Sequence, residues 1–253
     1  MQEFENVAYF DLQKTGSTTI KSVLRNILDE KLLYRNGHDG PREDYDRSKP
    51  SFISTREPLS LYISLFNFAT LERSGGLYAR MVRSGQEGFY EPSVKAFERW
   101  MAFVLDPANA GSLNKEYAHS APCEVIGLLS FRVLLVSMPN ARETMRSNEF
   151  NDRDAVKELF GQHAWRDHVR IENLGGDFFA FLKRNEGWVK LKEPLPDEAD
   201  FIARLPRRNA SGKIAGLTRE SISPALMQRV REREWLLYEA FGYDNDPIGA
   251  PFN

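Results

Sequence analysis

Cysteine is almost absent from this chain: Cys123 stands alone among 253 residues, so no internal disulfide can form and no cysteine-based metal site can assemble. A lone thiol of this kind reads as a small buried hydrophobe. Long hydrophobic runs are missing too. No apolar segment reaches the ~18 residues a membrane-crossing helix needs, and Met1 to Asn6 carries no basic cluster leading into an apolar one. The expectation is a protein with neither signal peptide nor integral membrane segment, working in the cytoplasm. Charge of one sign does not dominate either. The 34 Lys and Arg nearly cancel the 36 Asp and Glu, leaving a net charge of -2 that announces neither a nucleic acid nor an anionic membrane as partner. Any anion site must therefore be local. No His-Glu-x-x-His, no paired metal-ligand spacing and no Gly-x-Ser-x-Gly occurs, so metal-dependent hydrolysis and serine esterase chemistry find no support.

What is present is an alternation of strands and helices. Val7 to Leu12 has the length and apolar content of a buried strand, and from Ser17 to Leu28 the residues Ile20, Val23, Leu24, Ile27 and Leu28 recur at helical spacing. The same order returns with a strand over Ser51 to Thr55 and a helix carrying Leu61, Leu65, Phe66 and Phe68, with Pro58 suited to its first turn. Further along, Ser93 to Leu105 reads as an amphipathic helix and Arg132 to Ser137 as a strand. His168 to Ile171 reads as a short strand before a Gly175-Gly176 turn and a helix from Asp177 to Arg184. Lys192 to Arg219 reads as a Pro- and basic-rich loop able to fold over a ligand, and Pro224 to Phe241 as one long helix. This grammar predicts a single α/β domain over residues 1–253, with a mainly parallel sheet covered by helices in three layers. A mostly helical insertion at about 71–129 would shape a second binding site, since the strand signal fades there.

Two stretches suggest phosphate chemistry. Lys14-Thr15-Gly16-Ser17-Thr18-Thr19 lies where the first strand hands over to the first helix, so free amides and the positive end of a helix dipole converge on one spot. Gly16 permits close approach, the hydroxyls add donors, and Lys14 brings a mobile charge. The same residues also suit a plain N-cap cluster beside an exposed lysine. In a nucleotide triphosphatase loop the lysine follows the glycines; here it precedes them. The second stretch is Arg56-Glu57-Pro58 with Ser64, eight residues beyond Arg56 and two turns into the helix, so guanidinium and hydroxyl can face one anion. An arginine in a surface ion pair and a solvent-facing serine would account for them as well.

Together these stretches resemble the 5′-phosphosulfate loop and the 3′-phosphate motif of sulfotransferases that use 3′-phosphoadenosine 5′-phosphosulfate (PAPS), in the family's order. His168 to Leu174 is similar to the family's later strand and turn. Leu205 to Ser211, with Leu237 to Tyr243, is similar to the cofactor-covering loop and closing helix of its carbohydrate-modifying and bacterial branches. The family often has His at the place of Asp11, Pro at that of Gln13 and Asp at that of Glu57. The resemblance implies a sulfotransferase fold with a P-loop-like phosphate-binding loop. It implies that Lys14, Thr15, Gly16, Ser17, Thr18 and Thr19 hold the 5′-phosphosulfate, and that Arg56 and Ser64 hold the 3′-phosphate. Asn209, Ser211 and Lys213 would contribute from the covering loop. It further implies PAPS as donor, 3′-phosphoadenosine 5′-phosphate (PAP) as product, no metal, and a glycan, glycolipid or small-molecule acceptor.

Lys14 is the candidate for the leaving-group side. His38, in Asn36-Gly37-His38-Asp39-Gly40, is the candidate base, since histidine titrates near neutrality and family members with a catalytic His place it after the first helix. A surface turn would explain His38 equally, and His119, His163, His168 or a carboxylate are rivals. Trp100, Trp165, Trp188 and Trp235 read as core or interface aromatics rather than a sugar platform. Two other functions stay open: a small-molecule kinase using the same loop with ATP and magnesium, and a degenerate nucleotide-binding interaction module. The sequence does not fix the oligomeric state.

Overall fold

Strands β1 (Gln2–Phe4), β2 (Ala8–Phe10), β3 (Leu32–Arg35), β4 (Ser51–Thr55) and β5 (Asp167–Arg170) form a five-stranded sheet in the order β3-β1-β2-β4-β5. The structure, a computed structural model, describes residues 1–206 and 212–243. In the parallel half, Tyr9 of β2 pairs with Phe52 of β4, and Ser54 of β4 with Val169 of β5. β1 runs antiparallel to both β2 and β3, so the sheet is mixed, and the expectation of a mainly parallel one holds only for β2, β4 and β5.

Side chains alternate across each strand; β1, β2 and β4 are buried on both faces, whereas β3 at the sheet edge is largely exposed. Tyr9, Phe52 and Val169 face α1 (Ser17–Ile27) and its neighbours, where the Phe52 ring centroid lies 4.6 Å from that of Phe181. Ala8, Phe10 and Ile53 face the larger helical body. That body begins with α2 (Pro58–Glu72), α3 (Gly76–Arg83) and α4 (Val94–Val104), and Ser93 caps α4 by accepting the Ala96 N–H at 3.1 Å. It continues through α5 (Ala110–Leu113), α6 (Lys115–Ala118), α7 (Leu128–Ser137), α8 (Ala141–Thr144) and α9 (Arg153–Gly161). Residues 71–129 hold no strand, as expected, but the strandless stretch runs on from Thr55 to Asp167.

The chain then forms α10 (Leu174–Arg184), α11 (Glu198–Arg204), α12 (Pro224–Arg233) and α13 (Trp235–Phe241). Four expectations are corrected here. Arg132 to Ser137 is helical, not a strand, because the apolar run begins at Leu128 and α7 is buried almost all round, which erases any period. Gly175 and Gly176 lie inside α10, not in a turn; a Cβ on Gly175 would come 2.7 Å from Ile202, so the glycine lets α11 pack closely. The segment from Lys192 contains helix α11, capped by Asp197, which accepts the Asp200 N–H at 2.9 Å. The last helix is two helices.

The break comes at Glu234, a fully buried carboxylate that turns back to cap α7. It accepts the Leu129 N–H at 3.1 Å, the Ser130 N–H at 2.8 Å, the Ser130 hydroxyl at 2.7 Å and the Tyr62 hydroxyl. Four donors compensate the cost of drawing this charge out of water, and a carboxylate suits a helix N-terminus. Among the described residues no helix is long and apolar enough to cross a membrane.

Candidate functional site

The loop between β2 and α1 sets the geometry. Lys14 and Gly16 both adopt left-handed backbone, with φ of 66° and 76°, curling the chain so that Gly16 becomes the N-cap of α1. A side chain at Gly16 would put its Cβ 2.5 Å from the Ile171 Cδ1 atom. Among the described residues no side chain caps α1, and no acidic residue occupies its first turn. The Ser17, Thr18 and Thr19 amides therefore have no intrahelical acceptor, and the positive end of the helix dipole is left for an anion.

A cavity of about 640 Å³ opens in front of this loop, lined by Lys14, Gly16, Ser17, Thr18 and Thr19. Arg56, leaving β4, and Ser64, on α2, line it too. Three separate stretches of chain thus deliver donors to one space. Among the described residues no carboxylate oxygen lies within 4.0 Å of the Arg56 guanidinium. Burial lowers the Arg56 pKa from its ordinary value, opposed by Glu172 and then Glu57. Lys14 holds its ammonium 4.1 Å from the centre of the Phe68 ring, and burial, with Arg56 nearby, lowers its pKa as well. Two cations share a partly dry space, an arrangement that an entering dianion would relieve.

Glu57 serves the frame. Buried at 1% exposure, it caps α2 through the Ser60 N–H at 2.7 Å and accepts the Tyr238 hydroxyl at 2.6 Å. Arg219 stands 3.5 Å away, and the Glu57 N–H donates to Glu172 at 2.9 Å. Thr15 is also turned away from the cavity: its fully buried hydroxyl donates to the Leu12 carbonyl at 2.7 Å and meets Ser54 at 2.5 Å, so only its backbone can serve the loop.

His38 lines the same cavity, reaching it from the loop after β3. Its Nδ1 lies 3.0 Å from the Asp11 main-chain oxygen, an acceptor, so Nδ1 is the donor of this bond, and in the neutral ring that leaves the lone pair on Nε2. The side-chain carboxylate of Asp11 is fully buried, paired with Lys21 and 3.5 Å from His38 Nδ1. The loop is pinned from behind, since Asp39 accepts both 2.8 Å and 2.9 Å bonds from Arg142. Among the described residues the rival histidines lie elsewhere: His163 against Trp165 at 3.9 Å, His168 against Phe241 at 5.3 Å, and His119 at the end of α6. None of the four tryptophans lines this cavity, and Trp100, Trp165 and Trp235 are buried.

Sequence reading missed the apolar half of the cavity. Phe68, Ile171, Leu174, Ile202, Leu205 and Pro206 line it, and the last three come from α11 and the segment after it. The signal was Asp197, an N-cap residue with acidic Glu198 and Asp200 in the turn that follows it. Lys213 is exposed and does not line the cavity; its neighbour Ile214 is docked by an N–H bond to Asn67 at 3.2 Å. Asn209 and Ser211 lie outside the described residues. No family model matches the chain, and searches of curated proteins and of solved structures find no match either.

Proposed function

We propose that this chain is a sulfotransferase that carries a sulfuryl group from PAPS to a hydroxyl or amine of a glycan, glycolipid or small molecule. The observation that carries the reading is the convergence of Lys14, the Gly16 to Thr19 helix start, Arg56, Ser64 and His38 on one cavity from four separate parts of the chain. Its two cationic regions suit a ligand with two phosphate positions, and the apolar wall from Ile171 to Pro206 suits a nucleobase. A kinase reading would call for a carboxylate pair to hold magnesium among the cavity residues, and among the described residues the cavity lining contains no Asp or Glu.

In this reading the acceptor oxygen forms a bond to sulfur while the bond from sulfur to the bridging phosphate oxygen breaks. The electron pair leaves with PAP, the Lys14 ammonium and the α1 amides lower the energy of that departing charge, and His38 takes the hydroxyl proton on Nε2. The test is calorimetric titration with PAP beside AMP and ATP with magnesium. Tight PAP binding with weak AMP binding supports the paired sites; binding of ATP alone overturns the reading, and no binding favours a degenerate module.

A further inference from the structure

Beyond His38 the cavity does not end. A smaller chamber of about 250 Å³ shares Gln13 and His38 with it, and is walled by Arg80, Arg132, Glu116 and Arg142. A third space, open to solvent, shares Arg80, Glu116 and Arg142 and adds Arg83 and Lys115. A groove thus leads from solvent, past a row of cations, to the far side of the candidate base.

The charges in this groove are not balanced. Arg142 is neutralised by Asp39 at 2.8 Å and Glu116 at 2.7 Å. Arg80 and Arg132 are different: among the described residues neither guanidinium has a carboxylate oxygen within 4.0 Å. Burial pushes the Arg132 pKa down to about 10, Arg80 adds to the fall, and Tyr62 and Glu234 oppose it. Glu234 already accepts four donors of its own, so it does not serve as a partner to Arg132. Two guanidinium groups that repel one another, in a chain of net charge -2 with carboxylates to spare, persist in one chamber at a cost that an anion would offset.

We infer that the acceptor carries an anionic group, a carboxylate, sulfate or phosphate, which Arg80 and Arg132 receive in the chamber beyond His38, presenting a neighbouring hydroxyl to that histidine. The inference rests on the sulfotransferase reading for the identity of the transferred group. The arginine pair as an anion subsite stands on its own geometry. A chamber of about 250 Å³ admits one anionic group on a sugar-sized unit and leaves the rest of a larger acceptor in the open space lined by Arg83 and Lys115.

The experiment compares p-nitrophenyl β-glucoside with its glucuronide and its 6-sulfate, titrated calorimetrically into the full chain with and without saturating PAP. At least one anionic probe is expected to bind about tenfold or more tightly than the neutral one, as a charge-assisted bidentate contact requires. The double variant R80Q/R132Q should abolish that preference while leaving PAP affinity within twofold of the parent. The single variant R80Q, on the exposed face of α3, should lose part of it and guards against a folding defect at Arg132. Equal affinity for all three probes, or a preference that survives R80Q/R132Q, overturns the inference even where PAP binds. Absence of PAP binding with the anionic preference intact overturns the donor assignment and leaves the subsite standing.

Discussion

His38 and Asp11 meet twice, once through the Asp11 main-chain oxygen at 3.0 Å from Nδ1 and once through the buried carboxylate at 3.5 Å. The first contact sets the tautomer of the neutral ring, and the second places a carboxylate beside a ring that would become positive if it took a proton as proposed. His38→Ala should therefore reduce kcat by ~10²–10⁴-fold while PAP affinity stays unchanged. Steady-state kinetics beside calorimetry decides this, and full activity in the variant would remove His38 from the mechanism.

Lys14 predicts a pH effect. Its pKa lies below the ordinary 10.5 because the amine is partly buried and faces Arg56, so it loses its proton at a lower pH than a free lysine does. Activity that needs the ammonium is complete below the shifted pKa and lost as pH rises through it. The alkaline limb of kcat/KM should accordingly fall below 10.5, and Lys14→Arg should move it upward. Lys14→Ala should slow turnover more than it weakens PAP binding.

Arg56→Ala should weaken PAP binding by about 1.5–3 kcal/mol, the range for a lost charge-assisted interaction, with a smaller effect on turnover of saturated enzyme. Unchanged affinity would exclude Arg56 from phosphate recognition.

Gly16→Ala meets two obstacles, a φ of 76° and an Ile171 methyl 2.5 Å from the new Cβ. PAP binding should be lost before the fold is, with a stability decrease of roughly 1–3 kcal/mol in urea unfolding.

Glu234→Ala should behave in the opposite way. It strands the Tyr62 and Ser130 hydroxyls and two amides of α7 in the interior, and should cost about 3–5 kcal/mol in urea unfolding. PAP affinity of the folded fraction should not change.

The parts of this molecule that are local in sequence were legible there. Ser93 before α4, Pro58 opening α2, and Gly16 between a strand and a helix each carry a signal within a few residues. The same holds for the two stretches that line the cavity, because hydroxyls and amides at a helix start need no distant partner. Non-local facts were hidden. Nothing near Arg132 tells a buried helix from a buried strand, since an apolar run has no period to read. Glu234 looks like an ordinary helical residue until α7 is brought against it. The three-residue strand β1 is equally silent, being too short to show alternation. Thr15 was read with its loop, yet Ser54, 39 positions away, draws its hydroxyl inward.

Glu57 ties the peptide next to Arg56 to the far end of the chain: the carboxylate accepts from Tyr238 on α13, and the amide donates to Glu172 just beyond β5. The ordering of that peptide is completed during folding, so a nucleotide bound as proposed would spend none of its binding free energy on arresting it. Loosening the tether with Tyr238→Phe should appear as a shorter residence time for PAP, although Tyr238 itself does not line the cavity.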